Sequence, residues 1–401
     1  MPHTGRMPVP HGQDAGATHG QDASATRAGC PCHLKLHPYR SGPFGAGITC
    51  CGRNDAILAD APSCAALSLC FCVNLREKNL VTIYADKPLK LDKVRTYPLA
   101  SRKSKVSISA FGRVSSSGAS VRRWVGSLPK ILAGETFRHV IDALQRARNG
   151  NRPIVWGLGG HVIKVGLGPI LIDLMRRGYA TGFALNGAAM IHDFEIALVG
   201  ATSEDVPAAL GQGEFGMADE TGRYLNQAIT AGDQRGVGIG EAVGDFLRRH
   251  RGARFRRYSV MAAAYRQRVP ITVHEAIGTD IIHNHPTVDA RSLGAATHRD
   301  FLLLAALVKR MERGGVYLNC GSAVVLPEVF LKCVSLAANL GHGPRNLVTV
   351  NLDFIQHYRP TENVLRRPTS IASRRGGKQS RGYALTGHHE LMIPLLAAAL
   401  E

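Results

Sequence analysis

Apolar positions along the chain fall into two alternating rhythms from about residue 135 onward. Residues 135–148 place Phe137, Val140, Ile141 and Leu144 on one helical face, with Gly150 beyond its end. Ile154, Val155 and Trp156 then form a short apolar run that reads as a buried strand, closed by Gly157, Gly159 and Gly160. Residues 170–176 predict a helix stopped by Gly178, and residues 181–185 a second buried strand. Asn186, Gly187, Ala188 and Ala189 follow as a small-residue loop before a helix from about Met190. Three helices are expected at 218–229, 240–250 and 258–267, and a strand at 270–273. Residues 299–313 read as a helix ended by Gly314 and Gly315, and 316–318 as a strand. Pro327 sits in the first turn of a helix to about Leu340; a strand at 347–352 and an apolar helix at 391–400 complete the pattern. Strands and helices in alternation predict an α/β fold, a Rossmann-like, mostly parallel sheet with helices on both faces.

The rhythm is missing from residues 1–92, which read as an extension separate from a folded domain at 93–401. The extension carries a tandem octapeptide, HGQDAGAT at His11 and HGQDASAT at His19. It also holds seven of the nine cysteines, Cys30, Cys32, Cys50, Cys51, Cys64, Cys70 and Cys72, with no CxxC spacing to suggest zinc. Its apolar run at 65–73 is too short to span a bilayer, and no secretory signal is evident, so a cytoplasmic protein without membrane contact is expected. Residues 97–123, rich in Ser, Lys and Arg, read as an arm leading into the domain.

A formal charge of +19 would suit an anionic partner, but much of it lies in three runs, 87–123, 248–257 and 366–381. None has interleaved aromatics or a nucleic-acid motif, so solvated surface is the favoured reading and nucleic acid is not an expected partner. A non-catalytic anion-binding protein remains an alternative of a different class.

Candidate chemistry gathers after strands. The loop Gly157-Leu158-Gly159-Gly160-His161-Val162 departs from GxGxxG in its last position, yet glycines there let a ligand approach the backbone. VHEAIGTDIIHNHP from Val273 concentrates His274, Glu275, Asp280, His283 and His285 beyond a strand, where an open α/β sheet places its active site. His192, Asp193 and Glu195 follow the second loop, and His388, His389 and Glu390 precede the last helix. His283, His285, His388, His389 and Glu390 could converge on zinc or iron, which makes a metal-dependent enzyme a second alternative. Cys320 reads as a core thiol, Lys332 as a solvated helix residue, and Lys164 as either a phosphate contact or a surface charge.

Five segments in this order resemble the deoxyhypusine synthase family, in its bacterial deoxyhypusine-synthase-like branch, over roughly residues 93–400. They are the glycine loop after Trp156, NGAAMIHDFE at Asn186, PITVHEAIGTD at Pro270, LNCGSAVV at Leu318 and HHELMIPLLAAAL near the end. The resemblance implies an NAD-dependent transferase that takes an aminobutyl group from a spermidine-like polyamine, in a homotetramer with active sites between subunits. It implies cofactor contacts at Gly157, Gly159, Gly160, Asn186, Gly187, Thr279, Asp280, Gly321 and Ser322. His285 and His388 stand where the family has acidic residues, and with Glu362 they are the expected catalytic residues; no metal is implied. The family's Trp-Gly-Lys motif has no counterpart, because the chain reads NVLRRPTS after Glu362 and only Lys378 lies nearby. An arginine cannot replace an imine-forming lysine, since its pKa stays above about 12. The acceptor therefore stays open.

Overall fold

The computed structural model describes residues 84–86, 88–343, 345–370 and 379–400. The octapeptides, the seven N-terminal cysteines and Lys378 lie outside them. One compact unit spans Val94–Glu401. Its first part, up to residue 120, is largely exposed and holds only two short 3-10 turns, Leu99–Ser101 and Ile108–Ala110.

The chain then runs through α1 (Val121–Ser127), α2 (Leu132–Asn149), β1 (Ile154–Leu158), α3 (Gly160–Lys164), α4 (Gly168–Arg176), β2 (Gly182–Asn186) and α5 (Gly187–Val199). A helical section follows, α6 (Val206–Leu210), α7 (Asp219–Gln234), α8 (Ile239–Arg249) and α9 (Val260–Gln267), and leads into β3 (Ile271–His274). Next come α10 (Ala290–Arg310), β4 (Val316–Cys320), α11 (Val325–Asn339), β5 (Val348–Asp353), the single turn α12 (Tyr358–Pro360), β6 (Arg381–Thr386) and α13 (His389–Ala399). All six strands are parallel, in the order β3-β2-β1-β4-β5-β6. The protein is an α/β fold of Rossmann-like strand order.

Both sheet faces are covered, which explains why the strands are apolar runs and not alternations. Ile154, Trp156 and Leu158 belong to the larger core with residues of α2, α4, α5 and α13, while Val155 joins Tyr317 in a second core with α10 and α11. Trp156 fits this interior because its indole N–H donates to the carbonyl of Tyr179 at 2.9 Å. On the other face Tyr317 stacks on Phe330 at 3.8 Å between ring centres.

Three boundaries differ from the sequence reading. The small-residue segment after β2 is the first turn of α5, because the Asn186 side chain accepts the Ala189 N–H at 3.0 Å and caps the helix there. Asp289 likewise accepts the Arg291 N–H at 3.1 Å, so α10 begins nine residues earlier than its apolar pattern does. β6 was not expected, and only its first residue, Arg381, falls in the basic run at 366–381. It is an edge strand whose only fully buried side chain is Leu385, so it lacks the apolar signature of the others.

Candidate active site at the switch point of the sheet

In this strand order the chain leaves β1 toward β2 and leaves β4 toward β5, so the loops beyond the carboxyl ends of β1 and β4 diverge and leave a crevice. Two glycine loops form its floor. Gly159 donates its N–H to the carbonyl of Cys320 at 2.9 Å, and a Cβ on Gly159 would collide with the backbone of Gly321. Gly321 itself has φ of 71°, a left-handed conformation that a side chain resists. Ser322 is buried and accepts the Leu326 N–H at 3.2 Å, starting α11. Under the loop, Asn319 donates to Asn351 at 2.7 Å and to the Ser322 carbonyl at 2.9 Å, and both amides are fully buried.

An imidazole cluster lies over this floor. His389, at the start of α13, is 0% exposed, and a Cβ on Gly321 would lie 3.1 Å from its ring. Its Nε2 donates to the carbonyl of Leu352 at 3.1 Å, with Asp353 Oδ1 3.8 Å away. That donation places the ring proton on Nε2 and the lone pair on Nδ1, which is buried with no hydrogen-bond partner. Burial lowers the pKa of His389, against the opposing pull of Asp353, and favours the neutral ring. His161 and Phe354 flank it at ring distances of 5.4 and 6.0 Å, and Glu390 lies 3.9 Å from His161. His388 is at the rim, stacked on Phe354 at 5.9 Å.

A second cluster sits beyond β2 and β3. The Glu275 side chain is wholly buried, both its oxygens lack hydrogen-bond partners, and His283 Nε2 is 3.5 Å away. Asp280 completes a trio whose ligand-type atoms lie within 4.8 Å of one another. A Cβ on Gly187 would run into the carboxylates of both Asp280 and Glu275, so the acids press against the first turn of α5, where the helix dipole favours negative charge. Burial raises the Glu275 pKa, and the neighbouring Glu275 carboxylate raises that of His283. His283 Nδ1 accepts the Gly278 N–H at 3.1 Å, which sends its proton to Nε2, toward Glu275. The arrangement is that of a buried acid facing an imidazole N–H across 3.5 Å, with no Nε2 lone pair left for a cation.

The expected residues are distributed unevenly. Gly159, Gly160, Gly321, Ser322 and His388 meet at the crevice, and Asn186, Gly187, Thr279 and Asp280 lie together at the β2 and β3 ends. Gly157 is inside β1, where its missing side chain makes room for the Tyr317 hydroxyl, which a Cβ there would approach to 2.5 Å. His285 is buried against Gly222 of α7 and bonded to Thr287 at 2.8 Å, and Glu362 faces Arg366 at 2.7 Å, so neither joins His388. The five residues considered as a metal set do not gather: among the described residues the only such group of three is Glu275, Asp280 and His283. Cys320 and Cys333 are buried free thiols, their pKa values raised by burial. Lys332 pairs with Glu328, and Lys164 is exposed. Sequence reasoning passed over His389 as the buried member of its pair, and Asn319 and Asn351 altogether. The only signal for His389 was its place at the first turn of an apolar helix.

No protein-family model matches the chain, and no curated protein matches it. Among solved structures it is similar to a putative deoxyhypusine synthase from Entamoeba histolytica, at 10% identity over 72% of this chain and 95% of that one, with a TM-score of 0.43. A conserved putative LOR/SDH protein from Methanococcus maripaludis matches at 16% identity over 68% of this chain and 70% of that one, TM-score 0.40. The arginine dihydrolase ArgZ of the cyanobacterial ornithine-ammonia cycle matches at 18% identity over 68% of this chain, TM-score 0.39; the chain spans 33% of its length. Likeness at this level assigns the chain neither a family nor an activity.

Proposed function

We propose that the chain is a cytoplasmic NAD-dependent enzyme acting on an amine of polyamine type. The observation that carries this reading is the convergence at one switch point of two backbone-to-backbone glycine loops and a neutral, tautomer-fixed imidazole, Gly159, Gly321 and His389. Gly160 and Ser322 would hold a cofactor's phosphates through backbone N–H groups, Gly159 and Gly321, whose own N–H groups bond the carbonyls of Cys320 and Leu352, would let the cofactor approach, and Thr279 with Asp280 would accept from ribose hydroxyls. When bound, NAD supplies an acceptor for hydride from the carbon beside the substrate nitrogen.

The chain's own part is to handle the proton and the charge. His389 Nδ1 takes the proton from the substrate nitrogen, and Asp353 offsets the positive charge that then forms on the ring. His161 and Phe354 flank the ring, and because both reach solvent, rotation of these side chains would open the way to Nδ1. Asp353, Glu390, Glu275 and Asp280 put four carboxylates beyond the strand ends of a strongly basic chain, which suits a cationic substrate. The resemblance to a tetrameric family, and the exposed Phe354, Ile355, Tyr358 and Leu391 beside the crevice, support a homotetramer with another subunit over the site.

The test is fluorescence titration of the protein with NAD, then incubation with spermidine and detection of NADH and of a cleaved diamine. NAD binding lost on Asp280→Ala, with the fold intact by circular dichroism, is expected. A folded wild type that binds no NAD rejects the reading; binding without amine-dependent NADH formation rejects the substrate.

A further inference from the structure

At the opposite end of the sheet, below the amino ends of β4, β5 and β6, lies a cavity of about 820 Å³. Arg146, Arg152, Arg313 and Arg381 line it, with Asp142 as the one carboxylate. None of the four guanidinium groups makes a hydrogen bond or ion pair among the described residues, although sixteen other arginines do so. Four positive charges held around one space against a single negative one repel each other, and an arrangement of that kind is relieved by a multivalent anion.

The backbone reinforces this. Arg313 has φ of 80° and Asn346 of 57°, both in the left-handed region that costs a non-glycine residue on the order of 1 kcal/mol. They lie on facing loops, with Arg313 N–H donating to the Arg345 carbonyl at 2.8 Å, and both line the cavity. Two strained positions side by side at the edge of an unpaired guanidinium cluster mark a place shaped for a ligand and not only for packing. His139 and Tyr383, whose rings are 5.7 Å apart, form an aromatic margin to the same cavity.

We propose that this cavity binds a polyphosphate chain of about three phosphates, whose charge of roughly −4 at neutral pH matches the four guanidinium groups. The triphosphate could be inorganic or carried by a nucleotide, with a base against His139 and Tyr383. The site is separate from the crevice beyond the carboxyl ends of the strands and does not depend on the activity proposed there.

The experiment is calorimetric titration of the full chain with inorganic tripolyphosphate and, separately, with ATP, both without magnesium and at constant ionic strength. Micromolar binding is expected, weakened at least about tenfold by Arg146→Ala with Arg381→Ala and unchanged by Arg254→Ala with Arg257→Ala in the other basic run. Asp142→Asn should tighten binding about threefold, a gain that misfolding cannot produce. ATP binding more tightly than tripolyphosphate assigns the nucleotide as ligand, and equal or weaker binding assigns the inorganic chain. No binding by wild type, equal loss in both double variants, or full competition by a mixed-sequence RNA oligonucleotide overturns the proposal.

Discussion

His389 donates through Nε2 to the carbonyl oxygen of Leu352 at 3.1 Å, and this one bond decides which ring nitrogen keeps a lone pair. His389→Gln preserves a donor toward Leu352 and removes the base. Amine-dependent NADH formation is expected to fall about 100-fold or more, while NAD affinity stays within about threefold. His388→Ala, at the solvent-exposed rim, should cost less than about tenfold. Stopped-flow absorbance and NAD titration separate the two quantities; a His389→Gln enzyme with wild-type turnover removes this residue from the chemistry.

Gly187→Ala forces a methyl group into the space of the Asp280 and Glu275 carboxylates. Such overpacking costs about 1–3 kcal/mol. Asp280→Ala in the same chain should return a large part of it, because one of the colliding groups is then gone. Urea denaturation of the two single variants and the double variant gives the coupling directly, and strictly additive losses would show that the acids do not define this glycine.

Burial pushes Asp193 up to about 6 and Asp300 up to about 7, above the roughly 3.9 of an unfolded Asp. The native state therefore binds more protons than the unfolded state in this window, and their contribution to stability is lost as pH rises through the folded values. His274, pushed down to about 3 by burial, acts in the opposite sense, but only between about 3 and 6.5. Above pH 6.5, where His274 no longer contributes and Asp193 has released most of its proton, stability should fall with the Asp300 proton alone, by at most about 1.4 kcal/mol per pH unit, and level off by about pH 8. Asp300→Asn should flatten this slope, since Gly240 and Val273 both donate to one oxygen that an amide can also present. An unchanged slope in that variant contradicts the assignment.

The Tyr317 hydroxyl is fully buried and has no partner. Removing it as Tyr317→Phe is expected to stabilise the fold by about 1–2 kcal/mol, the cost of an unsatisfied buried polar group. The same change should lessen the cost of Gly157→Ala, because that hydroxyl is the nearest atom a Cβ at Gly157 would meet. Thermal melts of the variants decide it.

Most of this architecture was legible where burial is symmetric. β1, β2 and β4 are apolar but for Asn186 and Asn319 because both faces are covered, and their runs stand out in the chain. β6 was hidden because an edge strand needs apolar side chains on few positions, and its pairing with β5 is made by backbone. The glycine loops could be located but not sorted. Gly157 and Gly159 look alike in sequence, yet one answers to Tyr317 within the core and the other to Gly321 at the crevice. Adjacent His388 and His389 were equally indistinguishable until the first turn of α13 sent one inward and one to the rim.

Asn319 and Asn351 stand opposite each other in the parallel pairing of β4 with β5, amide to amide, between strands whose buried side chains are mostly apolar. Apolar strands can slide past one another at little energetic penalty, since one branched side chain replaces another. A shift of β5 by a single residue would break the bond between two buried amides, at a cost of about 1–3 kcal/mol. The pair therefore acts as an alignment pin: it sets how far each strand extends at its carboxyl end, and so the height at which Gly321 and Asp353 emerge around His389.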